Sequence, residues 1–256
     1  MFQKDPATEL SKSLKSIAQV VRAGFEQSSI VMVNEAHEGM LRCVRTREVG
    51  VNVILAAHQS ECRSLAVEAL QPGDAAFLNK SRGVPADYGG SRSYLSQPDM
   101  QRLLQTALDL KWTLIEYEAD ADKVMPMTEK YGQIAGMNER DRMQAENLAE
   151  VLKVHQPLLV WCGDSHNSKV EIMGWIPMAV QFQKATGINP FCIDQTKTIK
   201  FPCHNAPYDS RLVALYATEL KAREGLAAFL AKDRPWELGL ARDADAYIFS
   251  LDNEFQ

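Results

Sequence analysis

The chain has 256 residues, of which 46% are hydrophobic and 24% charged, with a formal net charge of -5, a balance that can bury a core. Net acidity without a basic run argues against a nucleic-acid partner, because binding to phosphates rests on clustered Lys and Arg releasing counterions. No apolar run approaches the roughly 18 residues of a membrane span, and Lys4, Asp5 and Glu9 interrupt the start where an apolar leader would lie; neither a membrane span nor a Sec signal is expected.

In chain order, Ser11, Ser13 and Ser16 precede an amphipathic helical segment within residues 1–28. A serine-bearing start of this kind also suits export by a non-Sec route. Ile30 to Val33 is a short β-branched run and predicts a buried strand. Arg42, Arg45 and Arg47 follow at helical spacing and are expected to form a solvated face. Leu65 to Val67 predicts a second strand, and Gln71 to Gln97, rich in Gly, Pro, Ser and Asp and containing Gly89-Gly90, an excursion of the type used as a lid or binding loop.

Gln97 to Leu110, opened by Pro98, predicts a helix, and Trp112 to Tyr117 a strand. In Met137 to Val154, Ala145, Leu148, Val151 and Leu152 fall on one side of a helix; Asn138 is its expected N-cap, with Asp141 near the positive end of the helix dipole. Leu158 to Cys162 and Phe191 to Ile193 predict strands, with a helix at Pro177 to Thr186 closed by Gly187 between them. Tyr208 to Ala231 predicts a long amphipathic helix, and Ala246 to Ser250 a last strand.

Strands alternating with helices long enough to cross over imply an α/β fold with a mainly parallel central sheet flanked by helices. With no linker and no internal repeat, residues 1–256 are expected to form a single domain, with a core at 30–195 and a C-terminal helix and final strand at 205–256. Cys43, Cys62, Cys162, Cys192 and Cys203 form no C-x-x-C pair, so neither a disulfide framework nor a structural zinc site is expected.

Ligands of parallel sheets bind beyond the carboxyl ends of the strands. There the chain places Asn34-Glu35-Ala36-His37-Glu38, then Glu68, then Glu118 and Asp120, then Gly163-Asp164-Ser165-His166. If the first segment stays extended, Glu35 and His37 project on the same side, and a histidine oriented by a carboxylate can take a proton from water near neutral pH. His166 could then assist a leaving group, bind an oxyanion or join a metal site. A lone Glu or His at a strand end is more often a cap or a solvated residue, and His58 and His155 are read as core-edge residues; the coincidence at several strand ends is what favours a site. Ser165 lies in Gly-Asp-Ser-His-Asn, which is not a nucleophile elbow, Cys203 and His204 are sequence neighbours that point apart, and no phosphate-binding glycine loop supports a nucleotide cofactor.

Val33 to Gly39, Leu65 to Ala69, Asn138 to Leu148 and Leu159 to Lys169 resemble, in order and spacing, the motifs of the erythromycin esterase/ChaN-like superfamily, which is related to the Tiki/TraB proteases and to a domain of a bacterial toxin. The resemblance runs from about Ile30 to Asp194, with Asn34 standing where the family has glycine. It implies that Glu35 and His37 match the family's Glu-His motif, with His37 the base that activates water. By the same likeness Glu68 is the strand-end acid, Arg140 and Asp141 are the Arg-Asp pair opening the helix before the last motif, and His166 is the second histidine. Arg140, near that helix start, would then partner a carboxylate or oxyanion.

The expected function is hydrolysis of an ester or amide bond in a small-molecule or host-derived substrate. Two alternatives stand beside it: a bacterial effector or toxin-like protein using the same pocket inside a host cell, and a haem or small-ligand binder without catalysis. The location is correspondingly cytoplasmic, or a host cell reached by a non-Sec route. Glu35, His37, Glu68 and His166 are also the candidate ligands should a divalent metal take part, whereas no residue names an axial ligand and haem is not expected. Substrate identity and oligomeric state lie beyond the sequence.

Overall fold

The computed structural model describes residues 13–37, 40–88, 93–196, 198–199, 226–233 and 243–251. Strands β1 (Ile30–Glu35) and β4 (Leu158–Gly163) pair in parallel at the centre of the sheet, and every residue in both is buried. Strands without polar alternation are stable where helices cover both faces, and alternate residues here feed two cores. Val31, Val33, Leu65, Val67, Leu159, Trp161 and Ile193 pack on one side, against α1 (Ile17–Gln27), α2 (Met40–Gln59) and α4 (Pro98–Asp109). Ile30, Met32, Ala66, Leu158, Val160 and Cys162 pack on the other, against α6 (Gln133–Val154) and α7 (Met178–Thr186).

The remaining strands are β2 (Ser64–Val67), β3 (Thr113–Glu116), β5 (Phe191–Asp194), β6 (Thr198–Ile199), β7 (Leu226–Leu230) and β8 (Ala246–Leu251). The sheet runs β3-β2-β4-β1-β5-β8-β6, all parallel, with β7 antiparallel to β8. This is a single α/β domain with a mainly parallel sheet, as the alternation predicts. From β1 the chain passes to β2 on one side, while from β4 it crosses over β1 to β5 on the other. Such a reversal opens a crevice beyond the carboxyl ends of the central strands.

Four expectations are corrected. Helix α6 begins at Gln133, so Asn138 lies inside it rather than capping it. The extension is held by α5 (Ala121–Tyr131), which approaches so closely at Gly136 that a Cβ there would overlap Thr128. Asn138 instead accepts from Ile176 N at 2.7 Å and donates to Gly174 O at 3.0 Å, which fixes the loop after β4. Consequently Arg140 and Asp141 project from the body of the helix, and the anion-binding helix start expected beside Arg140 is not there.

The excursion at Gln71 to Gln97 contains α3 (Asp74–Ser81). Its first turn is capped by Glu116 from the end of β3, whose carboxylate accepts from Gly73 N and Ala75 N at 3.1 Å. A carboxylate at a helix start stabilises it whichever strand supplies it, so composition alone did not reveal this helix. Leu226 to Leu230, expected at the end of a helix, is β7, because pairing with β8 outweighs the helical preference of its Ala and Leu residues. Arg47 is buried at 3% exposure rather than solvated, for the reason given below. The expected helix from Tyr208 to Gly225, Cys203, His204, Ser11, Gly89 and Gly90 lie outside the described residues. Among the described residues, no helix is long and apolar enough to cross a membrane.

Candidate functional site

Strand register brings the acidic ends together. Glu35 lies opposite Gly163, Val67 lies opposite Trp161, and Glu68 N donates to Trp161 O at 3.0 Å. Glu35 and Glu68 therefore flank the end of β4. Glu68, 4% exposed, accepts from the Gly163 amide at 2.6 Å.

Glu35 is 3% exposed and both of its oxygens are engaged. Oε2 accepts from Arg47 Nε at 2.8 Å and Trp161 Nε1 at 2.9 Å, while Oε1 accepts from Arg47 Nη2 at 3.2 Å and faces His37 Nε2 at 3.5 Å. Burial opposes its ionisation, and the bonds from His37, Arg47 and Trp161 outweigh burial and hold its pKa below the ordinary value. Arg47 also reaches Gln97 at 2.5 Å and Asp99 at 2.8 Å, so that α2, β1 and the start of α4 share one cation.

The His37 side chain is 48% exposed and lies over Gly163, where a Cβ would overlap its ring. Its hydrogen bond to Glu35 raises its pKa against the loss of hydration, aided by the charges of Glu35, Glu68 and Asp164. Among the described residues its Nδ1 has no hydrogen-bond partner.

On the other side of Glu68 lies a second cluster. Arg140 donates to Glu68 at 2.5 Å and to Glu118 at 2.9 and 2.5 Å, and its Nη1 lies 3.2 Å from His166 Nε2. His166 Nδ1 donates to Asp141, which is fully buried, and Asp141 also accepts from the Trp175 indole, whose ring stands edge-on to His166. Burial lowers the His166 pKa, but the Glu68 charge and the Asp141 bond overcome it and the net shift is upward. Glu68 is likewise pushed up by burial, yet the His166 and Arg140 charges and the Gly163 amide bring it down to about 2.

All six residues singled out from the sequence, Glu35, His37, Glu68, Arg140, Asp141 and His166, thus fall in two clusters that meet at Glu68 and Gly163. Glu118, noted at its strand end, joins through Arg140, whereas Asp120 caps α5 through Asp122 N at 3.1 Å. His58 accepts from the Trp112 indole at 3.0 Å and His155 pairs with Ser64 at 3.1 Å, both away from the site. Sequence reasoning missed Arg47, Trp161 and Trp175. A signal for Arg47 existed: it shares a helical stripe with Gly50, Ile54 and Ala57, all buried. The Trp161 indole, inside a buried strand, needed an acceptor.

The donor set does not suit a divalent cation. The Glu35 and Glu68 carboxylates are taken by arginines, and His166 is held between Asp141 and Arg140. Among the described residues, no group of three or more His, Cys, Asp or Glu side chains could hold a metal ion. What the arrangement can do is proton transfer: His37 has one nitrogen directed to a fixed carboxylate and the other without a partner among the described residues. Arg140 has five N–H donors; Glu68 and Glu118 take three, and with neutral His166 accepting at Nε2 one of Nη1 is left.

No protein-family model and no curated protein matches the chain. Among solved structures it is similar to the haem-binding ChaN of Campylobacter jejuni, with a TM-score of 0.51 and 9% identity over 92% of this chain and 91% of that one. It is also similar to the type III effector HopBA1, with a TM-score of 0.49 and 13% identity over 93% and 94%. For RRSP, a toxin effector domain from Vibrio vulnificus, the values are 0.49 and 12% over 74% of this chain; here, as in the other toxin structures, the chain spans 38% of the partner's length. The ChaN likeness establishes a shared fold.

Proposed function

We propose that the chain is a hydrolase of an ester or amide bond, of the erythromycin esterase-like kind, in which His37 activates water. The observation that supports this reading is the half-exposed His37, with Nε2 directed to a carboxylate locked by Arg47 and Trp161 and with Nδ1 unpartnered among the described residues. Nε2–H donates to Glu35, so the Nδ1 lone pair takes a proton from water as it attacks the carbonyl carbon; the tetrahedral adduct then collapses with cleavage of the C–O or C–N bond, and the His37 imidazolium returns that proton to the departing oxygen or nitrogen. Glu35 stabilises the imidazolium formed, and the remaining Arg140 N–H meets the developing oxyanion. Asp141 and Trp175 orient His166, which with Glu68 and Glu118 fixes the guanidinium.

The test is turnover of a panel of carboxylic esters and amides by the wild type and by His37→Ala, His37→Gln and Glu35→Gln. Loss of a general base costs about 10²–10⁴-fold in rate, so the His37 variants should fall by that order with folding intact. Unchanged turnover in His37→Ala overturns the assignment.

A haem-binding role is the second reading, favoured by the same nitrogen, since His37 Nδ1 has no partner among the described residues and its lone pair can ligate iron. Haem titration of the wild type and His37→Ala distinguishes it: a Soret shift present in the first and absent from the second supports binding. Delivery into a host cell is a question of address rather than chemistry, and a reporter fused behind residues 1–28 tests it.

A further inference from the structure

We propose that Asp164 selects substrates that carry a cationic group, an ammonium or guanidinium, beside the scissile bond. This deepens the hydrolytic reading of the His37 site and rests on it.

Asp164 follows Gly163 at the carboxyl end of β4, and its main chain is held on both sides. Its N–H donates to Glu35 O at 2.8 Å and its carbonyl accepts from Asn34 Nδ2 at 2.6 Å. The residue has φ 35°, a left-handed conformation that Asp adopts more readily than most residues because its short side chain can bond locally. The His37 ring lies over Gly163, the residue next to Asp164 in the chain. Asp164 is exposed, and its carboxylate has no hydrogen bond or ion pair among the described residues. Its charge reaches His37, where it favours the protonated ring.

The two arginines of the site are committed elsewhere. Arg47 lies between Glu35 and Asp99, and Arg140 between Glu68 and Glu118. A phosphate or carboxylate entering here therefore meets arginine charges already balanced by carboxylates, with a single Arg140 N–H left over, and is repelled by Asp164, whereas a cation meets a carboxylate without a partner among the described residues. An exposed contact of this kind is modest and screened by salt, so it tunes selection without setting the rate of bond cleavage.

The experiment uses three p-nitrophenyl esters of matched size, with a trimethylammonium, a tert-butyl or a carboxylate terminus on the acyl group. The full chain should favour the cationic over the neutral ester by about fivefold in kcat/KM at low ionic strength, and the neutral over the anionic. In Asp164→Asn the cation-to-neutral ratio should fall to about one through KM, and added salt should narrow it in the wild type. A ratio that survives in Asp164→Asn, or an anionic ester turned over as well as the cationic one, overturns the proposal.

If none of the esters is turned over, the hydrolytic reading fails by itself and binding decides the rest. Tetramethylammonium chloride and sodium phosphate are then titrated while the His37 ring protons are followed by NMR. A shift with tetramethylammonium that is lost in Asp164→Asn supports the assignment. No such shift, or a larger one with phosphate, overturns it.

Discussion

Arg47 and Glu35, each 3% exposed, face one another inside the protein with Nε–Oε2 at 2.8 Å and Nη2–Oε1 at 3.2 Å. One comes from a helix and the other from the strand before it, and between them they decide the orientation of a carboxylate that His37 needs. Removing one partner of a buried pair leaves the other charge uncompensated, at a cost of about 3–5 kcal/mol. Arg47→Met should therefore lose stability of that order in urea unfolding. Lys153→Ala, which breaks the exposed pair with Glu150, should change it by less than about 1 kcal/mol. Equal unfolding midpoints for Arg47→Met and the wild type would show that Glu35 is held by other means.

Acid stability follows from Glu68. Its pKa falls from the ordinary 4.5 to about 2, so its contribution is present above pH 4.5 and is lost as the pH falls from there toward 2. The contribution is about 3 kcal/mol at most, converting the shift directly. The raised pKa values of His37 and His166 act in the opposite sense, adding stability below 6.5 that is lost as the pH rises through their folded values. Melting temperatures from pH 3 to 9 should pass through a maximum between these limits, and Glu68→Gln should flatten the acid limb. An acid limb as steep in Glu68→Gln as in the wild type would assign the loss to other carboxylates.

Gly163 is needed for its missing side chain. A Cβ would overlap the His37 ring, but that ring is 48% exposed and can swing away. Gly163→Ala should therefore cost less than about 1 kcal/mol of stability while displacing the base, and a displacement of about 1 Å can cost on the order of 10²-fold in rate. Thermal unfolding together with turnover of the ester panel separates the two effects. Wild-type turnover in Gly163→Ala would mean that the ring position is not critical.

Chelation should leave turnover unchanged. Arginines already engage the Glu35 and Glu68 carboxylates, and a divalent ion would have to displace them. Activity measured before and after dialysis against EDTA, with metal content determined on both samples, checks this; loss on dialysis and recovery with one added metal would refute it.

The sheet and its acidic ends were legible in the order of residues along the chain. Runs such as Ile30 to Val33, Leu65 to Val67 and Leu158 to Cys162 have no polar alternation and read as buried strands, and chain order then puts Glu35, Glu68 and His166 beyond their carboxyl ends. Tertiary structure decided which charge each acid meets. Arg47 looked solvated because its partner Glu35 lies on another element, α3 looked like loop because Glu116 caps it from β3, and α6 extended past Asn138 because α5 packs against Gly136. Apolar periodicity is a local property that a short window of sequence records. Buried ion pairs, tertiary caps and close helix approaches join residues distant along the chain, and they exist only once the packing does.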